Sequence, residues 1–179
     1  MEPIGSPHAI NLDTALLQLD FALKLWHFVN DEKLPHDEFD IDLTIDDRGT
    51  PYCMSGHEFH TYNDLVIATE NAIWITFSAV VITLWEAIRE KHDFSKGNPL
   101  QTDDERLAAL IYMVRCCFAH GTALPRWKID KEKYKIIYKV GNKNIDLRDV
   151  DGKPFDISTI GGLETMRILR DTARERKML

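Results

Sequence analysis

Residues 61–91 read TYNDLVIATENAIWITFSAVVITLWEAIREK, and how this stretch folds decides the rest. It contains neither Gly nor Pro, and Leu65, Ile73, Trp74, Phe77, Val81, Leu84, Trp85 and Ile88 recur at helical spacing. Its many β-branched residues would suit a strand. Length decides against that, because about thirty unbroken residues exceed any ordinary strand. Thr61 supplies a cap and Asp64 an acidic first turn, so a helix over 61–91 is expected. The run free of charge, Ala72 to Trp85, is 14 residues long and is flanked by Glu70 and Glu86. A membrane span needs about 20 residues, so the expectation is a buried helix and no membrane segment. The helix is apolar around most of its circumference, more than packing in one small bundle requires. Part of it is therefore expected to face a second copy of the chain.

Outward from this helix the chain divides cleanly. On the N-terminal side, Leu12, Leu16, Leu19, Leu23, Trp26 and Val29 predict a helix capped at Asn11 or Asp13 and running to about Asn30, after a tail over residues 1–10. Phe39 to Ile45 alternates strictly, which predicts a half-buried strand; Asp46-Asp47-Arg48-Gly49 turns the chain, and Thr50 to Met54 returns. On the C-terminal side, Gly97-Asn98-Pro99 is a break, and Thr102 followed by Glu105 is a capping box. The helix it opens carries Leu107, Leu110, Ile111, Val114 and Phe118 on one face and is expected to stop at His120-Gly121. Residues 124–150 then read as a β-rich insertion, with Trp127 to Ile129, Tyr134 to Val140 and Asn144 to Leu147 as strands. A last helix is expected from Ser158 or Thr159 to about Arg176. The sum is a mainly α chain, one domain over 1–179, with four main helices in an antiparallel bundle and small β-hairpin insertions.

The composition sets bounds on function. Three cysteines, two of them adjacent, make no disulfide framework and suggest a reducing, cytoplasmic setting. The N-terminal residues show no basic stretch followed by an apolar one, so no signal peptide is expected. A net charge of −7 argues against a protein that coats nucleic acid indiscriminately, yet the charge is uneven. Residues 31–48 hold eight acids and two bases. Residues 126–143 hold seven bases, among them Arg126, Lys128, Lys131 and Lys133, against two acids. Such a local basic surface suits phosphate contacts; it also suits a solvated edge hairpin defended by lysines.

The basic stretch starts just after Arg115-Cys116-Cys117-Phe118-Ala119-His120-Gly121, the one place where a cation and a titratable base fall together at a helix end. In an unbroken helix Arg115 and His120 would point about 140° apart. A left-handed Gly121 that closes the helix would let His120 swing back toward Arg115, giving an anion site with an acid or base beside it. The plainer reading is a solvated Arg115 and a His120 that interacts with the helix dipole. A metal site at Cys53, His57 and His60 lacks a clear fourth ligand, so no metal and no cofactor are expected. No glycine-rich phosphate loop or nucleophile elbow is present.

The run from Val114 to Gly121 resembles the R-x4-6-H signature of the HEPN superfamily, whose frequent form is R-N-x-x-A-H-G. Arg115, Ala119, His120 and Gly121 match it, while Cys116 stands where Asn or another polar residue is common. The family places this motif at the end of a long helix before a final one, the order expected here. The resemblance implies a helical bundle that dimerises with both motifs lining one cleft. It implies metal-independent RNA cleavage with Arg115 and His120 as catalytic residues and Cys116 and Gly121 in support. It also implies RNA or a nucleotide as ligand, a homodimer contact at the motif cleft beside the 61–91 helix contact expected above, and an antitoxin or regulatory protein as a further partner. Its non-catalytic members offer the alternative of an RNA-binding or regulatory interaction module.

Overall fold

The computed structural model describes residues 7–31, 33–91, 99–119, 121 and 124–179, and for residues 7–10 and 47 the backbone alone. The described chain is mainly α: α1 (Pro7–Asn30), α2 (His36–Phe39), α3 (Tyr62–Lys91), α4 (Asp103–Phe118) and α5 (Thr165–Glu175). Two antiparallel ribbons accompany them, β1 (Leu43–Asp47) with β2 (Thr50–Met54) and β3 (Ile137–Val140) with β4 (Lys143–Asp146).

The two capping signals act as the sequence suggests. Thr61 Nα–H and its hydroxyl both donate to the Asp64 carboxylate at the start of α3, at 2.8 and 3.0 Å. At the start of α4 the Thr102 hydroxyl accepts from the Glu105 amide while Glu105 reaches back to the Thr102 amide, 2.7 Å away. Each cap thus pairs polar groups at a helix start, where backbone amides have no partner within the helix.

α1 packs along α3 in the most extensive helix pairing of the fold. The Tyr62 hydroxyl donates to the Val29 carbonyl, setting the start of α3 against the end of α1, so the two run antiparallel. Leu12, Leu16 and Leu19 of α1 join Phe77, Val81, Leu84 and Ile88 of α3 in a core completed by α4, α5 and the second ribbon. α5 is tied across α1 by Arg174 to Asp13 and Arg167 to Asp20, and its end meets the start of α4 through Arg176 and Asp104. These three pairs are exposed and each contributes little, about 0–1 kcal/mol; burial of the apolar face of α5, Met166, Leu169 and Ala173, holds the helix.

Several expectations need correction. α1 begins at Pro7, inside the expected tail, since proline suits a first helical turn whose N–H has no partner anyway. The strand expected over 39–45 is displaced: His36–Phe39 make a helical turn, and pairing begins at Leu43. Nor is that ribbon half buried. Leu43 and Ile45 lie opposite Met54 and Tyr52, and all four are exposed. Tyr134 sits in a 3₁₀ turn (Glu132–Tyr134) rather than in a strand, and Trp127 to Ile129 joins no ladder, the chain there having only an isolated bridge between Arg126 and Pro154. The last helix starts at Thr165, because Ser158 belongs to a 3₁₀ turn (Ile157–Ile160) closed by Gly161 and Gly162 at φ of 88° and 96°. β3 and β4 do alternate as read, burying Tyr138, Val140 and Ile145.

The base of the first ribbon is fastened without hydrophobic cover. Asp40, 6% exposed, accepts from the amides of Glu58 (3.1 Å) and Phe59 (2.9 Å), and Asp42 accepts from Gly56 at 2.6 Å. A side chain at Gly56 would put its Cβ 2.7 Å from the Asp42 nitrogen, so only glycine fits there. His36 Nε2 meets the Phe59 carbonyl at 2.5 Å.

Candidate functional site

An aromatic cluster fixes the end of α4. Phe118 stacks at 5.4 Å from Phe77 of α3 and 5.1 Å from Phe155, which in turn lies 5.3 Å from Trp127. Phe155 and Trp127 come from the segment after the helix, so these contacts clamp the returning chain against the helix end. Backbone bonds complete the clamp. The Arg126 amide donates to the Cys117 carbonyl (3.2 Å), one of the acceptors a helix end leaves open, and Phe155 donates to Pro125 (2.9 Å). The Ile129 amide is held by Asp151 at 2.9 Å.

This packing draws residues 128–134 alongside the last turn of α4 and leaves a cavity of about 250 Å³ between them. Tyr112, Met113, Arg115, Cys116 and Ala119 line it from the helix, and Lys128, Asp130, Lys131 and Tyr134 from the returning chain. Arg115 carries the decisive feature: its Nε is buried without a hydrogen-bond partner among the described residues. The Tyr134 hydroxyl is equally unpaired in a residue only 3% exposed, and burial raises its pKa above the usual phenol value. A buried donor without a partner costs about 1–3 kcal/mol. Both atoms are closed to solvent and are not reached from the cavity; what the cavity presents is a wall to which Arg115 and two lysines contribute, an electropositive environment suited to an anion.

The residues singled out in the sequence divide accordingly. Arg115, Cys116, Lys128 and Lys131 line one cavity. Arg126 lines another, of about 190 Å³, with Trp74, Leu124, Pro125, Pro154 and Phe155, and its Nη1 donates to the Gly152 carbonyl at 3.3 Å. Lys133 lies over the Tyr134 ring, 4.9 Å from its centre; burial and the neighbouring Lys131 lower its pKa. His120 lies outside the described residues. α4 ends at Phe118 with Ala119 still right-handed, its amide bonded to the Cys116 carbonyl at 3.3 Å, and Gly121 is not among the glycines of positive φ. The closure expected over His120 and Gly121 involves His120 and so lies outside the described residues. Cys117 is buried and its thiol pKa is pushed up by desolvation, which makes it a packing residue.

Among the described residues no group of His, Cys, Asp or Glu is placed to hold a metal; Cys53, His57 and His60 form none. Tyr112, Asp130 and Tyr134 were missing from the candidates read in the sequence. For Asp130 and Tyr134 the only signal there is proximity to the lysines, since the closure that brings them to Arg115 is tertiary; Tyr112 is signalled by its place three residues before Arg115 on the same helix. Comparison with protein-family models, curated proteins and solved structures finds no match, so the reading rests on the site itself.

Proposed function

We propose that this chain is a HEPN-type, metal-independent endoribonuclease that acts in the cytoplasm as a homodimer. The observation that carries the reading is the Arg115 guanidinium, lining a cavity that also holds Lys128 and Lys131, with its Nε buried and unpaired. Arginine is the side chain suited to a phosphate, offering a planar fork of charge-assisted donors that lysine lacks. A structural arginine at such a site would be expected to meet a carboxylate, and among the described residues Arg115 has none.

RNA brings its own nucleophile. In the proposed step the 2′-oxygen attacks the adjacent phosphorus, the bond to the 5′-oxygen breaks, and a 2′,3′-cyclic phosphate remains. One His120 takes the proton of the 2′-hydroxyl, and the His120 of the second copy returns a proton to the departing oxygen. An imidazole of ordinary pKa, about 6.5, serves in either role near neutral pH. Arg115 stabilises the extra charge of the pentacoordinate transition state.

Support for the dimer comes from what the helices leave uncovered. Ile67, Ile75 and Ile82 project from one side of α3, and Leu17, Phe21 and Phe28 from one side of α1, all exposed. In the proposed dimer the two motif ends share a cleft, where a regulatory protein such as an antitoxin would act. A binding module without turnover is the second reading. It is favoured by Cys116, half-buried at the cavity, where a thiol replaces the polar side chain frequent in the family.

Incubation with structured and unstructured RNA in EDTA, wild type beside the double replacement Arg115→Ala and His120→Ala, tests the proposal. Cleavage by the wild type alone is expected, with DNA inert. Binding without cleavage would move the assignment to the second reading.

A further inference from the structure

The cavity beside Arg115 carries opposite charges. Lys128 and Lys131 bring ammonium groups and Asp130 brings a carboxylate. Neither Asp130 nor Lys128 has an ion pair or hydrogen-bonded side chain among the described residues, so both remain open to a ligand. A phosphate site alone has no use for a carboxylate, which repels it. A group with donors on one edge and acceptors on the next would use both.

We propose that this cavity reads guanine: it takes the base of the nucleotide whose 3′-phosphate meets Arg115. The inference rests on the RNA-phosphate reading above and adds which base the site selects. Guanine sets N1–H beside its N2 amino group, two adjacent donors, and carries O6 and N7 as adjacent acceptors. A carboxylate accepts both donors at once. In adenine and cytosine the amino group lies beside a ring nitrogen acceptor, and in uracil the single N–H lies between two carbonyl oxygens. Those acceptors face the Asp130 charge and weaken the fit. Lys128 serves O6 and N7, a pairing that lysine commonly makes. Tyr112, half-buried and packed against Trp85 and Tyr134, lines the same cavity and adds apolar surface to it. A volume of about 250 Å³ falls just below the range of about 300–1,000 Å³ typical of drug-sized ligands, suiting one base rather than an oligonucleotide.

The test measures dissociation constants of the intact protein for the 3′-monophosphates of guanosine, adenosine, cytidine and uridine, in EDTA. The guanosine compound is expected to bind about tenfold or more tightly than the other three, as one well-placed bidentate contact allows. Asp130→Asn, at an exposed position that leaves the fold intact, should bring the four within about twofold of one another, since the amide replaces one acceptor oxygen with a donor that faces guanine's own donors. Equal affinity for the four, a guanosine preference that survives Asp130→Asn, or no binding at millimolar concentration overturns the inference. The two proposals fail separately. RNA cleaved in EDTA with no preference for guanosine ends the base-reading idea and leaves the nuclease. Selective guanosine binding that is lost in Arg115→Ala, with RNA never cut, ends the nuclease and leaves the base-reading cavity.

Discussion

Arg115 sits where a residue kept for function differs from one kept for stability. Its Nε is buried without a partner, so the folded chain bears a cost that a plain hydrocarbon would remove. Arg115→Met keeps the length of the stem and discards the guanidinium. Its melting temperature is therefore expected to equal or exceed that of the wild type, while RNA affinity, read by filter binding in EDTA, falls at least tenfold, an effect of about 1.4 kcal/mol. Arg115→Lys should lie between them, since it keeps the charge but not the fork. A methionine variant destabilised by about 2 kcal/mol or more would instead mark Arg115 as a structural residue. The sequence could single out Arg115, because a cation close to a helix end is visible as spacing. It could not supply Tyr134, because that residue comes to line the same cavity only after Phe118, Trp127 and Phe155 have closed the chain onto α4.

Among the elements, those read well were those whose instructions are local. α3 and α4 carry their own caps and a 3.6-residue period, and both appear where expected. α5 was expected to start at Ser158 or Thr159 rather than at Thr165, because either residue looks like a cap while the left-handed turn at Gly161 and Gly162 undoes the helix behind it. The first ribbon was misread for a different reason. Alternation shows which residues share a face, but nothing in it says what covers that face, and here Leu43, Ile45, Tyr52 and Met54 remain exposed. The base of this ribbon depends on polar contacts, which makes it sensitive to pH. Burial would raise the pKa of Asp40, but the amides of Phe59 and Glu58, aided by His36 and His57, outweigh it and hold the carboxyl below its usual value of 3.8. Its contribution is present above that value and is lost as pH falls through the lower folded one. His36 is shifted upward from 6.5, first by Asp37 and then by the Phe59 carbonyl. Its contribution is complete below 6.5 and is lost as pH rises through the higher folded value. The amides of Glu58 and Phe59 should thus show their strongest hydrogen-exchange protection, corrected for intrinsic rates, between about pH 4 and 6.5. Protection that keeps rising above neutrality would show that His36 takes no part.

For the whole molecule, the question is what covers the apolar surface that the helices leave open. α3 is long and apolar enough to cross a membrane by length and composition, and a third of its most apolar window is buried within the chain. Contact with a second copy along Ile67, Ile75 and Ile82 accounts for the remainder in the proposed dimer. Ile75→Glu, at a position 55% exposed, should then convert a dimer to a monomer in light scattering at micromolar concentration with helix content unchanged. A wild type that is already monomeric would remove this interface. Cleavage should vanish with the dimer, because each cut needs the His120 of both copies. The most direct test is the product of RNA digestion in EDTA by the wild type and by His120→Ala. The account predicts fragments ending in 2′,3′-cyclic phosphate from the wild type and no cleavage by the folded variant; cleavage by the variant at the wild-type rate would contradict it.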